Sequence, residues 1–273
     1  MNTETATTEW RPAPGTIDQH SFAIGDIHGM RHHFDALLSR IAHIIATESV
    51  QAPRVVLLGD YIDRGPASLS ILKQILTTDL IPGAETLTLP GNHETMLATV
   101  LREEGPALEE HVENWLRWGA AAIARELGQS AESAASRPGA FVKAIRDYLG
   151  ADAIRQFLTL DLAHRDTDYL FIHAGLHPLN SLRDSLACDW QSMPYNQHRH
   201  PVWCRYPFLD HNGPFDGDVV VVHGHTIQRE PLVTANKIGV DTGAYEGGPL
   251  TCVELKGDRL RFHQVRLAPG GNA

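Results

Sequence analysis

A short apolar run closed by a polar, glycine-bearing turn recurs five times along the chain. Phe22-Ala23-Ile24 precedes GDIHG, Val55-Val56-Leu57-Leu58 precedes GDYIDRG, and Leu87-Thr88-Leu89 precedes PGNHE. Tyr169-Leu170-Phe171-Ile172 precedes HAG, and Val219-Val220-Val221-Val222 precedes HGHT. Runs this short, β-branched and ended by glycine, predict buried strands. After the first turn, Phe34, Leu37, Leu38, Ile41 and Ile45 share one face of a helix. Pro66 opens a second helical stretch with Leu69, Leu72, Ile75 and Leu76 on its apolar side, and proline suits a first turn. Strand, turn, helix, strand is the rhythm of an α/β sheet. Sites in such sheets form at the carboxyl ends of the strands. All five polar turns lie there, so the pattern predicts that they meet.

The rest of the chain reads differently. Residues 1–18 are polar and carry prolines, which predicts a loose lead-in. Residues 96–165 are rich in Ala, Glu, Leu and Arg and hold Trp115 and Trp118, which predicts helices inserted between the third and fourth turns, with a break near Ser133–Gly139. That insertion is a packing layer, a wall of the cleft, or both. Leu250–Glu254 and Arg259–Val265 alternate as terminal strands, expected to form a hairpin about Lys256-Gly257-Asp258. No internal repeat divides the chain, and 273 residues suit a single domain over 1–273.

Composition narrows the function classes. With 42% apolar residues there is material for a sizeable core. The net charge of −10 disfavours broad contact with nucleic acid or anionic membrane, although bound cations can still create a local phosphate site. Cys188, Cys204 and Cys252 are odd in number and form no close pair, which argues against a disulfide framework and against a thiolate zinc site. With no basic and apolar leader at the N-terminus and no apolar run of membrane length, a cytoplasmic location is expected.

The polar residues at the strand ends are Asp26, His28, Asp60, Asp63, Arg64, Asn92, His93, His173 and His225. Carboxylates, imidazoles and an amide without thiolates suit Mn, Fe or Zn. Two such ions held close together need a ligand that reaches both, and Asp60, central among the turns, is the natural candidate. Taken singly, the same residues have ordinary readings. Asp26 and Asp60 could cap helices, Asp63 and Arg64 could form a surface ion pair, and the glycines could simply make turns.

Together the five turns, in this order across residues 22–226, resemble the metallophosphoesterases, and within them the bacterial branch of the phosphoprotein (serine/threonine) phosphatases. The resemblance implies an α/β fold in which a β-sandwich is flanked by helices, with 96–165 as a helical insertion. It implies hydrolysis of phosphomonoesters by a hydroxide held between two divalent metal ions, manganese first, iron or zinc otherwise. Carried over by position, Asp26 and His28 would hold one metal, Asp60 would bridge, and Asn92, His173 and His225 would hold the other. His93 would protonate the leaving oxygen and Asp63 would orient it. Arg64, Asn92 and Arg205, the last within VWCRYPF, would grip the phosphate.

The pattern also has departures. Many metallophosphoesterases carry a histidine where Ile227 stands, and its absence, with Asp63 and Glu94, favours the protein-phosphatase branch. A phosphorylated protein or peptide is therefore the expected substrate. A dinucleoside polyphosphate or other small phosphoester is the alternative, with the tryptophans of the insertion stacking a base. A catalytically silent phosphate-binding module is the reading from outside enzymes, and no ligand loss supports it. His223 reads as structural, and the His198-Arg199-His200 cluster as a solvated loop.

Overall fold

A computed structural model describes residues 3–268. The strands, in chain order, are β1 (Thr3–Thr7), β2 (Arg11–Ile24), β3 (Arg54–Leu57), β4 (Glu85–Thr88) and β5 (Ala163–Asp166). They continue as β6 (Tyr169–Ile172), β7 (Val220–His223), β8 (Leu232–Val233), β9 (Lys237–Gly239) and β10 (Leu250–Leu267). They build two five-stranded sheets, ordered β1-β10-β2-β3-β4 and β5-β6-β7-β9-β8. Within each sheet three neighbours run parallel: β2, β3 and β4 in the first, and β6, β7 and β9 in the second. The expected α/β architecture, a two-sheet sandwich with helices outside, is the one observed.

The apolar runs explain the layering. Strand side chains alternate faces with period two. In β2 and β3, Ala23 and Val56 point between the sheets, whereas Phe22, Ile24, Val55 and Leu57 join the core under the helices. In β6 and β7, Tyr169, Phe171, Val220 and Val222 meet them between the sheets, and Leu170, Ile172 and Val221 face the other way. Strands buried on both faces must be apolar throughout, which is why these read as unbroken runs. Helix α1 (Arg31–Thr47) buries Phe34, Leu37, Leu38, Ile41 and Ile44, and α2 (Ser68–Thr77) buries Leu69, Ile71, Leu72, Ile75 and Leu76.

Six helices follow β4: α3 (Asn92–Arg102), α4 (Gly105–Trp115), α5 (Ala121–Glu126), α6 (Ala131–Ser136), α7 (Pro138–Leu149) and α8 (Ala151–Phe157). The helical stretch thus ends at Phe157, and the last residues of the 96–165 span already belong to β5 in the second sheet. Between α4 and α5 the chain makes a wider turn over Leu116–Ala120, in which Gly119 has φ 134°. A short α9 (Leu182–Leu186) precedes the loop to β7. No helix among the described residues is long and apolar enough to cross a membrane.

One expectation is corrected and another holds. The stretch 1–18 is not a loose lead-in where it is described: Thr3–Thr7 is an edge strand, and Arg11 begins a 14-residue strand. Pro12 and Pro14 normally count against a strand, but long antiparallel pairing with β10 overrides that local preference. The C-terminal segments form the expected hairpin: Glu254 meets Arg261, and Thr251 meets Gln264, across a turn at Gly257-Asp258. Pairing runs without a break over Leu250–Leu267 and its register against β2 shifts on both sides of Gly257, where φ of 57° lets the chain reverse.

Glu254 pins these long strands together. Its carboxylate, fully buried, bonds His20 Nε2 (2.7 Å) on β2, and His263 Nε2 (2.7 Å) and Arg261 Nε (2.5 Å) on β10. Arg261 also reaches Glu48, just past α1. Burial alone would raise this carboxyl, but the three partners hold it well below the usual range. A carboxyl depressed in the folded state stabilises above its unfolded pKa of about 4.3, and the contribution is lost as pH falls further toward the folded value. Glu254→Gln is expected to cost about 3 kcal/mol at neutral pH. In urea unfolding, the gap between wild type and variant should shrink as pH drops below about 4. A gap that stays constant from neutral to acid pH would contradict this assignment.

Candidate active site

The parallel strands end on one cleft. Asp26 and His28 follow β2, Asp60, Asp63 and Arg64 follow β3, and Asn92 and His93 open α3 after β4. His173 follows β6 and His225 follows β7. A cavity of about 360 Å³ is lined by Asp26, His28, Asp60, Arg64, Asn92, His93, Arg205 and His225. His173 lies beneath it, bonded to Asn92 Oδ1 (3.1 Å). Asp63 is fully buried behind His93. The residues picked from the strand ends are therefore brought together, and Arg205 joins them from the loop before β7.

Asp60 sits between two groups of candidate metal ligands, His28-Asp60-His93 and Asp60-His173-His225. Its Oδ2 faces His28 Nε2 (3.5 Å) and His93 Nε2 (4.0 Å), while Oδ1 faces His173 Nε2 (3.4 Å). Asp26 is in neither group, but its carboxylate accepts the His225 N–H at 3.0 Å and lines the same cavity. The histidines are also oriented for ligation. His28 Nδ1 meets the Ile62 carbonyl (2.7 Å), and His173 Nδ1 meets the Leu58 carbonyl (2.9 Å). A carbonyl only accepts, so Nδ1 carries a proton in both rings and Nε2 is the nitrogen turned toward Asp60. Arg205 donates from Nε to His225 Nε2 (3.1 Å) and from Nη2 to the His225 carbonyl (3.3 Å).

The electrostatics call for cations. Burial, and then the neighbouring Asp241, push Asp26 well above the carboxylate range, and burial raises Asp241 to about 6. Asp60 stays charged: burial opposes it, but His173, His93 and His28 hold its carboxyl low. Burial and the nearby His93 push His28 down to about 3. Burial keeps His28 and His225 neutral, whereas at His173 burial is outweighed by the Asp60 carboxylate, which raises it to about 9. Buried acids pressed together with imidazoles are a donor set that fits hard-to-borderline divalent ions.

His93 differs from the other imidazoles. Its Nδ1 meets Asp63 Oδ2 at 2.6 Å, and the same oxygen accepts the Trp115 indole N–H at 2.7 Å. Burial would lower His93, but the carboxylates of Asp60 and Asp63 raise it above its ordinary value. The expected alternative of a surface Asp63–Arg64 ion pair is not what forms. Arg64 instead lies over the Tyr245 ring, 4.4 Å from its centroid, and donates to its hydroxyl at 2.8 Å.

Backbone strain concentrates here. Nine described residues other than glycine have positive φ, and five of them are site residues: His28, Asp60, Asp63, Arg64 and His225. Each left-handed residue costs of the order of 1–2 kcal/mol, which the surroundings must hold in place. Glu94 does much of that holding, accepting the N–H groups of Asp60 (2.7 Å), Tyr61 (3.0 Å) and Gly91 (2.8 Å). The carbonyl of Asp60 in turn accepts the N–H groups of Ile27 and His28. Gly224 allows close approach, since a Cβ there would lie 2.0 Å from Asp26 Oδ1.

Sequence reasoning missed three participants. Asp241 follows β9, whose run Ile238-Gly239-Val240 is a sixth example of the strand-then-polar-turn rule, made faint by its glycine. Trp115 reads from the sequence as a base-stacking or core residue, and nothing there marks its indole N–H as the partner of Asp63. Tyr245 stands in a turn with no distinguishing spacing. His223 is structural as expected, its Nδ1 against the Gly224 carbonyl. His200 is not on a solvated loop: it is buried and bonded to the Asp189 carbonyl, while His198 and Arg199 are exposed.

Residues 22–248 match the family model described as calcineurin-like phosphoesterase. The chain is similar to the asymmetrical bis(5′-nucleosyl)-tetraphosphatase PrpE of Anoxybacillus flavithermus, at 24% identity over 84% of this chain and 88% of that one. It is similar to serine/threonine-protein phosphatase 1 of Salmonella typhimurium, at 27% identity over 87% of this chain and 93% of that one. Among solved structures it resembles the cold-active protein-tyrosine phosphatase of a psychrophilic Shewanella, with a TM-score of 0.58 and 19% identity over 91% of this chain and 80% of that one.

Gly224→Ala tests whether the close approach to Asp26 matters for ion binding. The added methyl must displace the Asp26 carboxylate. The variant is expected to keep its far-ultraviolet circular dichroism while bound divalent metal falls by about one ion per chain. Full metal content by elemental analysis would refute the inference.

Proposed function

The chain belongs to the calcineurin-like phosphoesterase family, and from that premise we propose that it removes phosphate from phosphoserine and phosphothreonine in proteins. Its class is that of a metallophosphoesterase hydrolase, and the fold implies a dinuclear divalent metal site. We assign one ion to Asp26, His28 and Asp60 and the other to Asp60, Asn92, His173 and His225, with manganese as the native metal. When bound, the ions supply Lewis acidity, lowering the pKa of water and screening the phosphoryl oxygens.

The chain's own residues do the rest. Arg64 and Arg205 approach the cavity from opposite loops and are the fork-shaped donors for phosphate oxygens. The Tyr245 ring under Arg64 and the His225 backbone under Arg205 keep both guanidiniums in place. His93, with Nδ1–H fixed on Asp63, has Nε2 free toward the cavity to deliver a proton to the leaving oxygen. The reaction balances as phosphomonoester plus water giving alcohol plus inorganic phosphate: the P–O bond to the leaving oxygen breaks, and that oxygen ends protonated.

The Asp63–His93 pair is the observation that favours an alkyl monoester. Serine and threonine alkoxides are poor leaving groups and depend on protonation, whereas a nucleotide phosphate leaves readily as an anion. A buried acid buttressed by both Asp63 and Trp115 serves the first kind of substrate more than the second. One observation keeps dinucleoside polyphosphate hydrolysis as a second reading. Trp118 is 47% exposed, stands edge-on to Trp203 and borders the cavity, so it offers a ring face to a base.

His93→Asn in manganese-loaded protein is expected to lower kcat on a phosphoserine peptide by about 100-fold or more, and to affect an activated aryl phosphate far less. Equal loss on both substrates would contradict the acid role, and preference of wild type for diadenosine tetraphosphate over the peptide would favour the second reading. Asp60→Asn is expected to remove activity together with at least one of the two metals. Two tightly held ions in that variant would refute the bridge.

A further inference from the structure

Beside the catalytic cavity lies a larger one of about 720 Å³, and the two share Arg64 and Tyr245 as a common wall. The larger chamber is built by the segments just past the site residues: Met30 to His33 after His28, and Gly65 to Ala67 after Arg64. Its far side is helix α5, with Ala122, Arg125 and Glu126. Anything esterified to a phosphate held at Arg64 has this chamber directly next to it.

The lining is selective in charge. Arg31, Arg64 and Arg125 all face it, in a protein whose net charge is −10. The acid present, Glu126, is already engaged, accepting the N–H groups of Leu69 (2.8 Å) and Ser70 (2.9 Å) at the start of α2. Arg31 is held by Asp35, Gln74 and Ser70, which fixes its position. The Arg125 side chain forms no hydrogen bond or ion pair with the described residues and is exposed. His33, only 2% exposed, also lines the chamber and leaves Nδ1 without a partner. Met30, Pro66, Ala67 and Ala122 add an apolar surface. A fixed arginine, a free arginine and an unpaired buried imidazole beside an apolar wall suit an organic anion rather than a plain hydrocarbon. The volume lies within the usual range for small-ligand sites.

We propose that this chamber is the leaving-group subsite, and that it selects phosphoesters whose leaving group carries a second phosphate. The proposal rests on reading the smaller cavity as the phosphoryl site. The second phosphate could belong to a nucleotide or to a neighbouring phosphoresidue of a peptide, and the two share the chemistry that Arg31 and Arg125 recognise.

The test is Arg125→Glu in the full chain, with Arg125→Gln as a milder companion. Each is assayed with manganese on phenyl phosphate, on ADP, and on a peptide with one or two phosphoserines. The kcat/KM ratio of ADP to phenyl phosphate, or of doubly to singly phosphorylated peptide, should fall roughly fivefold or more in Arg125→Glu and less in Arg125→Gln. Whichever ratio falls identifies the source of the second phosphate. Ratios that stay within twofold for both pairs would overturn the proposal. ADP affinity, measured by calorimetry on the same proteins before and after metal loading, gives a readout independent of turnover. If no phosphoester is hydrolysed at all, the catalytic reading fails, while ADP binding weakened by Arg125→Glu would still uphold the subsite. ADP affinity indifferent to Arg125 would sink it.

Discussion

Everything in this protein is arranged around buried negative charge. Asp26, Asp60 and Asp241 are each no more than 4% exposed and act electrostatically on one another. Two like charges 4 Å apart repel by about 4 kcal/mol at the effective dielectric of a protein, and each also loses hydration. Asp26 and Asp241 respond by being driven toward protonation, whereas Asp60 keeps its charge because His173, His93 and His28 surround it. A pair of divalent cations answers the same demand more completely. Metal binding is in this sense the completion of the fold's electrostatics, and the family's chemistry grows from it.

Holding such a cluster requires rigidity that side chains alone cannot give. The two parallel triplets of strands deliver six chain ends to one cleft, and the alternating apolar runs lock those strands on both faces. What the sheets cannot do is aim each carboxylate, because the turns beyond them are short. The aim comes from left-handed backbone at His28, Asp60, Asp63, Arg64 and His225, and from Glu94, which fastens three N–H groups across the β3 and β4 turns. Burial raises the Glu94 carboxyl to about 7, the Asp60 charge adding to it, so this fastener stands at the same electrostatic limit as the residues it positions.

The sequence made legible what depends on local pattern. Val55–Leu58 and Val219–Val222 could only be buried strands, and the polar residues that follow them had to share an edge. Asp60 was readable as central, and the structure places its two oxygens toward two different histidine groups. What stayed hidden depends on distant partners. Arg11–His20 carries two prolines and little alternation, and becomes strand only because β10 lies beside it. Trp115 is one more apolar helix residue until the fold sets its indole N–H 2.7 Å from Asp63, 52 positions earlier in the chain. Pairings at such separation leave no periodic trace in one sequence.

The helical segment after β4 is where the two roles proposed above, acid placement and substrate choice, come to share one element. Trp115, the last residue of α4, holds Asp63 and through it His93. Four residues on, the Gly119 carbonyl accepts the Arg64 N–H at 3.2 Å, and a Cβ at Gly119 would come within 2.9 Å of the Arg64 side chain. The wide turn at Leu116–Ala120, with Gly119 at φ 134°, lets the chain touch Arg64 this closely and still continue as α5 toward Arg125. An irregular helical turn of this kind often marks a functional position. One short stretch therefore holds the Asp63–His93 pair, crowds Arg64 and walls the neighbouring chamber. On the proposed reading, changes within it would alter proton delivery and leaving-group fit together, whereas the candidate ligands stay fixed by the ends of the parallel strands.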